Sequence, residues 1–201
     1  MSEYVVAIDL GSAKIAGMVA QKDSNGLLKI VAIESEKSAG IRLGAILNHT
    51  DSAACVGRLV KKLQNRAKIE IGQVYVGLSG HSIKSKINVV PEFFDNEKEL
   101  TDEDKNKLSE KNNLLNIENA IIYEIVEQEF LLDGEPEAKP SGCFCSHVEA
   151  KYLLVLGKKE LDNRICSCIE RIPQKLAGVL TSPIVMSESL ISSKEKELGC
   201  V

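Results

Sequence analysis

Apolar and polar positions alternate first in a hairpin pattern. Val5 to Ile8 form an apolar run that ends in Asp9; a second run, Ile15 to Ala20, follows a short break holding Gly11, Ser12 and Lys14. Two runs rich in β-branched residues around a glycine-containing break predict a β-hairpin. Asp23-Ser24-Asn25-Gly26 predicts a second turn, on its Asn-Gly signal, and Leu27 to Glu34 a third strand. Ser38 to Gly44 reads as a loop holding two glycines. Asn48, Thr50 or Asp51 then caps a helix whose Val56, Leu59, Val60, Leu63 and Ala67 share one face. Lys61, Lys62 and Arg66 cluster near its C-terminal end, where cations complement the helix dipole. Val74 to Ser79 is a fourth strand closing in Gly80. Three strands, a helix and a strand predict an α/β layout with one crossover onto the sheet.

The pattern changes from His81 to about Gly157. Ile83 to Pro91 reads as a strand with Ile83, Ser85, Ile87 and Val89 on one face. Thr101-x-x-Asp104 resembles a capping box, with Asp in place of Glu, and opens a polar helix to about Asn113. Asn119 to Leu132 is a run of strand formers that is apolar on both parities. Asp133 to Cys145 holds two prolines and two glycines and reads as loop. His147 to Leu156 is another strand, so the segment reads strand, helix, strand, strand. Lys158 to Arg171 is helical, with Leu161, Ile165, Cys168, Ile169 and Ile172 on one face and Pro173 ending it. Leu176 to Leu180 is a short strand. Ser182 with Pro183 starts a helix running to about Lys196. Glu197 to Val201 reads as the start of a further strand, so the chain is expected to be a fragment.

Composition narrows the class. With 201 residues, 44% hydrophobic and 27% charged, the chain has the make-up of a globular protein. A net charge of −4 argues against a nucleic-acid partner, which usually meets a basic face. No apolar stretch approaches the ~18 residues needed to span a bilayer, and no signal peptide is visible. Of the six cysteines, Cys143/Cys145 and Cys166/Cys168 form two Cys-x-Cys pairs that invite a metal. Cys166 and Cys168 fall in a helical pattern, however, where i and i+2 point apart. The usual Cys-x-x-Cys spacing is also missing, which speaks against structural zinc. His49, His81 and His147 are scattered without a nucleophile in a recognisable arrangement and read as structural.

The first hairpin carries the candidate chemistry. A tight turn leaves backbone N–H groups free to form an anion-binding nest, and Gly11 lets a ligand approach that backbone closely. Lys14 adds a positive charge, and Asp9 stands where a carboxylate could hold a hydrated Mg²⁺. The same residues also fit an ordinary turn with a solvated Lys14. No Gly-x-x-x-x-Gly-Lys-Ser/Thr run occurs, so the chain holds no P-loop.

Val6-Ala7-Ile8-Asp9-Leu10-Gly11-Ser12-Ala13-Lys14-Ile15-Ala16, Val74-Tyr75-Val76-Gly77-Leu78-Ser79-Gly80, Glu127-Gln128-Glu129-Phe130 and Glu195 to Val201 together resemble the FtsA family of bacterial actin-like ATPases. The hairpin alone is shared with sugar kinases, Hsp70 and actin. The Leu-Ser-Gly stretch and the insertion after it narrow the likeness to FtsA and its relatives, including the pilus-assembly actin homologue. The resemblance implies an α/β, ribonuclease-H-like subdomain 1A over residues 1–80 and 158–201. It implies a small α+β insertion, the SHS2-type subdomain 1C, over 81–157. It implies ATP and Mg as cofactors, with Asp9 orienting the metal's waters and Gly11, Ser12 and Lys14 holding phosphates. Ala13 departs from the hydroxyl residue often found there. In Pro140-Ser141-Gly142-Cys143-Phe144-Cys145, Cys145 replaces a family glycine, which puts the shape of that loop in question.

For the full-length protein the resemblance implies a cell-division scaffold at the cytoplasmic face of the inner membrane, at the septum. That scaffold would link the FtsZ ring to the membrane through a C-terminal helix absent here, recruit downstream division proteins and self-associate into filaments. At most weak ATPase activity is implied for it. With only one phosphate hairpin, the 201-residue chain is expected to bind Mg-ATP weakly or not at all and to have no activity of its own. A sugar or carboxylate kinase of the same superfamily and the pilus-assembly homologue are the alternatives.

Overall fold

In the computed structural model, residues 3–78 and 83–199 are described. Ser79, Gly80 and His81 of the predicted strand end, and Cys200 and Val201, lie outside them. The chain divides into two compact units, one made of Met1–Ile83 with Lys159–Val201 and the other of Lys84–Lys158.

The first unit is built on a five-stranded mixed sheet. β1 (Glu3–Leu10) and β2 (Lys14–Lys22) form the expected hairpin, and β3 (Leu28–Lys37) continues it antiparallel, three residues beyond its predicted end. The predicted loop from Ser38 instead contains a miniature hairpin, β4 (Ile41–Arg42) and β5 (Ala45–Ile46). Leu43 and Gly44 turn it with φ of 49° and 74°. Asn48 is the cap of α1 (His49–Ala67): its side chain accepts from the Thr50 and Asp51 N–H groups at 3.0 and 3.1 Å. β6 (Gln73–Leu78) then pairs parallel with β1.

α1 lies on one face of this sheet, where Val6, Ile8, Leu10, Ile15 and Val19 are buried. A Cβ on Gly17 would stand 2.8 Å from Leu63 Cδ1, so the bare backbone of β2 admits the helix. The basic residues of α1 do more than complement its dipole. Lys62 and Arg58 pair with Glu36 at 2.7 and 3.1 Å, and Arg66 with Glu34 at 2.9 Å. Both cations hold the Glu36 carboxyl below its ordinary range, Lys62 more strongly than Arg58. They bind helix to edge strand.

The second unit has a four-stranded sheet, in the order β7 (Ile83–Glu99), β10 (Phe144–Lys158), β8 (Ala120–Leu132), β9 (Glu135–Glu137). β7 (Ile83–Glu99) is a 17-residue edge strand that runs through Pro91 instead of stopping there. Proline is tolerated on an edge because no ladder bond needs its missing N–H. The face that Ile87 and Val89 share is the outward one. Val90 is buried, whereas Ile87 and Val89 are more than two-fifths exposed. Leu100 leads into the Thr101 capping box of α2 (Asp102–Lys111), followed by a short 3₁₀ turn, Asn112–Leu114.

β8 (Ala120–Leu132) is apolar on both parities for a concrete reason: its pairing with β10 (Phe144–Lys158) carries two register shifts. Phe130 and Leu132 oppose Ala150 and Val148, then Ile125 opposes Leu154, then Ile122 opposes Leu156. Each shift moves the inward parity by one, so all of these residues serve one core. The predicted loop from Asp133 contains β9 (Glu135–Glu137), turned by Asp133 and Gly134 at φ of 49° and 93°. Cys145 is fully buried in this core, and desolvation pushes its thiol up.

The chain returns to the first unit through α3 (Lys159–Ile169) and β11 (Lys175–Thr181), which adds parallel to β6. Leu161, Ile165, Cys168 and Ile169 are buried, and the Cys168 thiol meets Ser52 Oγ of α1 at 3.3 Å. The predicted single last helix is broken. α4 (Ser182–Leu190) ends, and Ser192 with Glu195 forms a new capping box for α5 (Ser193–Leu198). Glu197 and Leu198 therefore close a helix and do not open a strand.

Candidate functional site

The tip of the β1–β2 hairpin gathers Asp9, Gly11, Ser12 and Lys14 within six residues of chain. Register fixes what surrounds Asp9. It opposes Ala16 on β2 and Gly77 on β6, the two flanking strands. A Cβ on Gly77 would lie 3.5 Å from Asp9 Oδ1, and one on Gly11 would lie 3.8 Å from Oδ2. The carboxylate thus stands in a clearing with side-chain-free backbone on both sides. It is exposed and has no hydrogen-bond or ion-pair partner among the described residues.

Gly11 is demanded by local sterics. A Cβ there would sit 2.4 Å from the Lys14 carbonyl oxygen, closer than any real contact. Successive backbone N–H groups of a turn can form an anion-binding concavity. Ser12 Oγ accepts from the Gly44 N–H at 3.4 Å, which links the tip to the β4–β5 turn. The Ser38 N–H donates to the Ala13 carbonyl at 3.2 Å and links it to the end of β3. Lys14 is exposed at the start of β2.

Beside Asp9 runs an apolar groove of about 560 Å³ on the sheet face opposite α1. Met18, Ile33 and Tyr75 floor it, and Val185 and Met186 of α4 wall it. A carboxylate at the rim of an apolar groove, next to a glycine-bearing turn, is an arrangement able to order a metal-bound anion whose remainder lies on apolar surface. Gly77 and the groove were not singled out from sequence. A glycine inside Val74-Tyr75-Val76-Gly77 is nevertheless a signal of close approach to a strand. Of the scattered histidines, His147 stacks on Phe93 at 4.1 Å in the second unit and His49 opens α1. Among the described residues no three metal-ligating side chains cluster. No helix among them is long and apolar enough to cross a membrane.

No family model matches the chain. Curated proteins do, over nearly all of it. It is 29% identical over 205 residues to the cell division protein FtsA of Porphyromonas gingivalis, covering 100% of the chain and 43% of that protein. It is 27% identical over 205 residues to the cell division protein FtsA of Escherichia coli K12, covering 99% and 48%. For the protein of the same name from Streptococcus pneumoniae the identity is 24% over 200 residues, covering 98% and 43%. The chain therefore spans less than half the length of these relatives. Among solved structures, a PilM–PilN type IV pilus biogenesis complex superposes with a TM-score of 0.57 at 12% identity, over 92% of this chain and 49% of that one. That likeness shows a shared fold, a mixed sheet flanked by helices.

Proposed function

We propose that this homologue of the FtsA cell-division proteins is the phosphate-holding part of an actin-like division scaffold. The observation that carries the reading is the clearing between Gly11 and Gly77, in which the Asp9 carboxylate stands beside the Lys14 turn. A hydrated Mg²⁺ keeps most of its waters and asks little of the protein, so one unpaired carboxylate suits it. The Gly11 and Ser12 N–H groups and the Lys14 ammonium would hold the terminal phosphates of ATP. Ser12's hydroxyl, already accepting from Gly44, has its own proton left to donate to a phosphate oxygen.

In this reading residues 1–80 and 158–201 form subdomain 1A, and 81–157 form the inserted subdomain 1C. 1C is the protein-contact module. Its partners are neighbouring copies in a filament and downstream division proteins, while the assembled scaffold ties FtsZ to the cytoplasmic face of the inner membrane at the septum. Nucleotide governs polymer state more than turnover.

The test is calorimetry with Mg-ATP on this chain and on its longest natural form. Binding by the longer form that Asp9→Ala weakens at least tenfold supports the reading, while the chain alone binds weakly. Phosphate transfer to a small hydroxylated substrate would favour a kinase instead. A longer form that sediments with neither FtsZ filaments nor lipid would sink the scaffold role.

A further inference from the structure

Two lysines oppose one another on the Asp9 side of the sheet. In the β2–β3 register Lys14 is paired with Lys37, and Lys14 lies two residues from Ala16, the cross-strand partner of Asp9. Antiparallel partners share a face, as do residues two apart on a strand, so Asp9, Lys14 and Lys37 all project to one side. Like charges set directly opposite each other destabilise a sheet. Neither ammonium has an ion-pair partner among the described residues.

The other face of the same strands is arranged differently. There Glu36 and Glu34 are answered by Arg58, Lys62 and Arg66. Each named charge toward the helix has an ion-pair partner, whereas Lys14 and Lys37 toward the hairpin tip have none among the described residues. The Ser38–Ala13 bond pins the residue after Lys37 to that tip, so the position of Lys37 is set by the same turn that forms the nest.

Resting on the phosphate reading of Gly11 to Lys14, we propose that Lys37 is a second cation of that site, and that the pair selects a di- or triphosphate tail over a single phosphate. Adjacent strands stand about 4.8 Å apart, so the two lysines present their charge at two separated points. A tail of linked phosphates meets both points, whereas one phosphate is held by Lys14 and the nest. The like-charge pair is then relieved by the ligand it recruits.

The experiment is a titration of the ¹⁵N-labelled chain with Mg-pyrophosphate and, separately, with inorganic phosphate. The Gly11 and Ser12 amides are followed in the unsubstituted protein, Lys37→Gln and Lys37→Arg. Lys37→Gln is expected to weaken pyrophosphate roughly three- to fivefold while moving phosphate less than about twofold. Lys37→Arg is expected to restore the preference. Without ligand, Lys37→Gln should melt at the same temperature or higher, since it removes a repulsion.

Pyrophosphate binding unchanged in Lys37→Gln, with the hairpin amides still responding, overturns the role of Lys37 and leaves the phosphate site standing. Equal weakening for both anions overturns the selectivity and reduces Lys37 to diffuse charge. If pyrophosphate moves no hairpin amide in the unsubstituted chain and none in its longest natural form, the phosphate reading itself falls and Lys37 falls with it.

Discussion

At the scale of single residues, two positions have sharp expectations. Gly11 has no room for a methyl group, because the Lys14 carbonyl oxygen would lie 2.4 Å away. Relief requires the turn backbone itself to move. Gly11→Ala should therefore cost about 1–3 kcal/mol in denaturant unfolding and disturb the amide resonances of residues 9–16. An unchanged midpoint would show that the turn is looser than its geometry. Asp104 is the second. Lys98, foremost, and the Thr101 hydroxyl lower its carboxyl from 3.8 to about 2. A depressed acid contributes stability above its unfolded pKa, and loses that contribution as pH falls through its folded one. The second unit should lose stability between about pH 4 and pH 2, and Asp104→Asn should flatten that part of the curve. The comparison is a set of urea melts across the acid range.

Elements show why some of the fold was legible in the sequence and some was not. The first hairpin, α1 and the Thr101 box are local: cap, turn and periodicity all lie within a few residues, and each was read close to its true limits. β7 runs well past its predicted end at Pro91, and which of its faces turns inward is decided by which face meets α2 and β10, not by its own apolar residues. Ile87 and Val89 are simply exposed. β8 resisted alternation because its bulges are properties of a pairing, invisible in one strand. The same limit applies to the candidate site. The Asp9–Lys14 turn is visible as local chemistry, but the place of Gly77 beside Asp9 comes from a parallel pairing across α1. One bulge makes a specific demand. A Cβ on Gly157 would stand 2.2 Å from the Tyr123 ring. Gly157→Ala should destabilise the second unit by about 2 kcal/mol or more, and Gly157→Ala with Tyr123→Ala should recover part of that loss. Equal melting of Gly157→Ala and the unsubstituted protein would mean that the ring swings away freely.

For the whole molecule, the consequence of separate cores is that damage in one unit need not abolish the other. Asp9 lies in the first unit and Asp104 and Gly157 in the second. Their substitutions should accordingly be separable, with anion binding lost in one set and acid or thermal stability in the other.

β7 carries a last implication. It is long, lies at the margin of its sheet, and shows Ile87, Val89 and Phe93 to solvent. Such a strand is a template for stray copies during synthesis, when concentration of nascent chains is high. Pro91, set in the middle of it, denies an incoming strand one donor, and the acidic stretch Asp95 to Glu99 repels the rest. Pro91 would then act as a safeguard of solubility and not as an irregularity of the fold. Pro91→Thr should leave the monomer's melting point nearly unchanged yet raise light scattering steeply with protein concentration. A protein that stays clear at every concentration would show that the edge is guarded by something else.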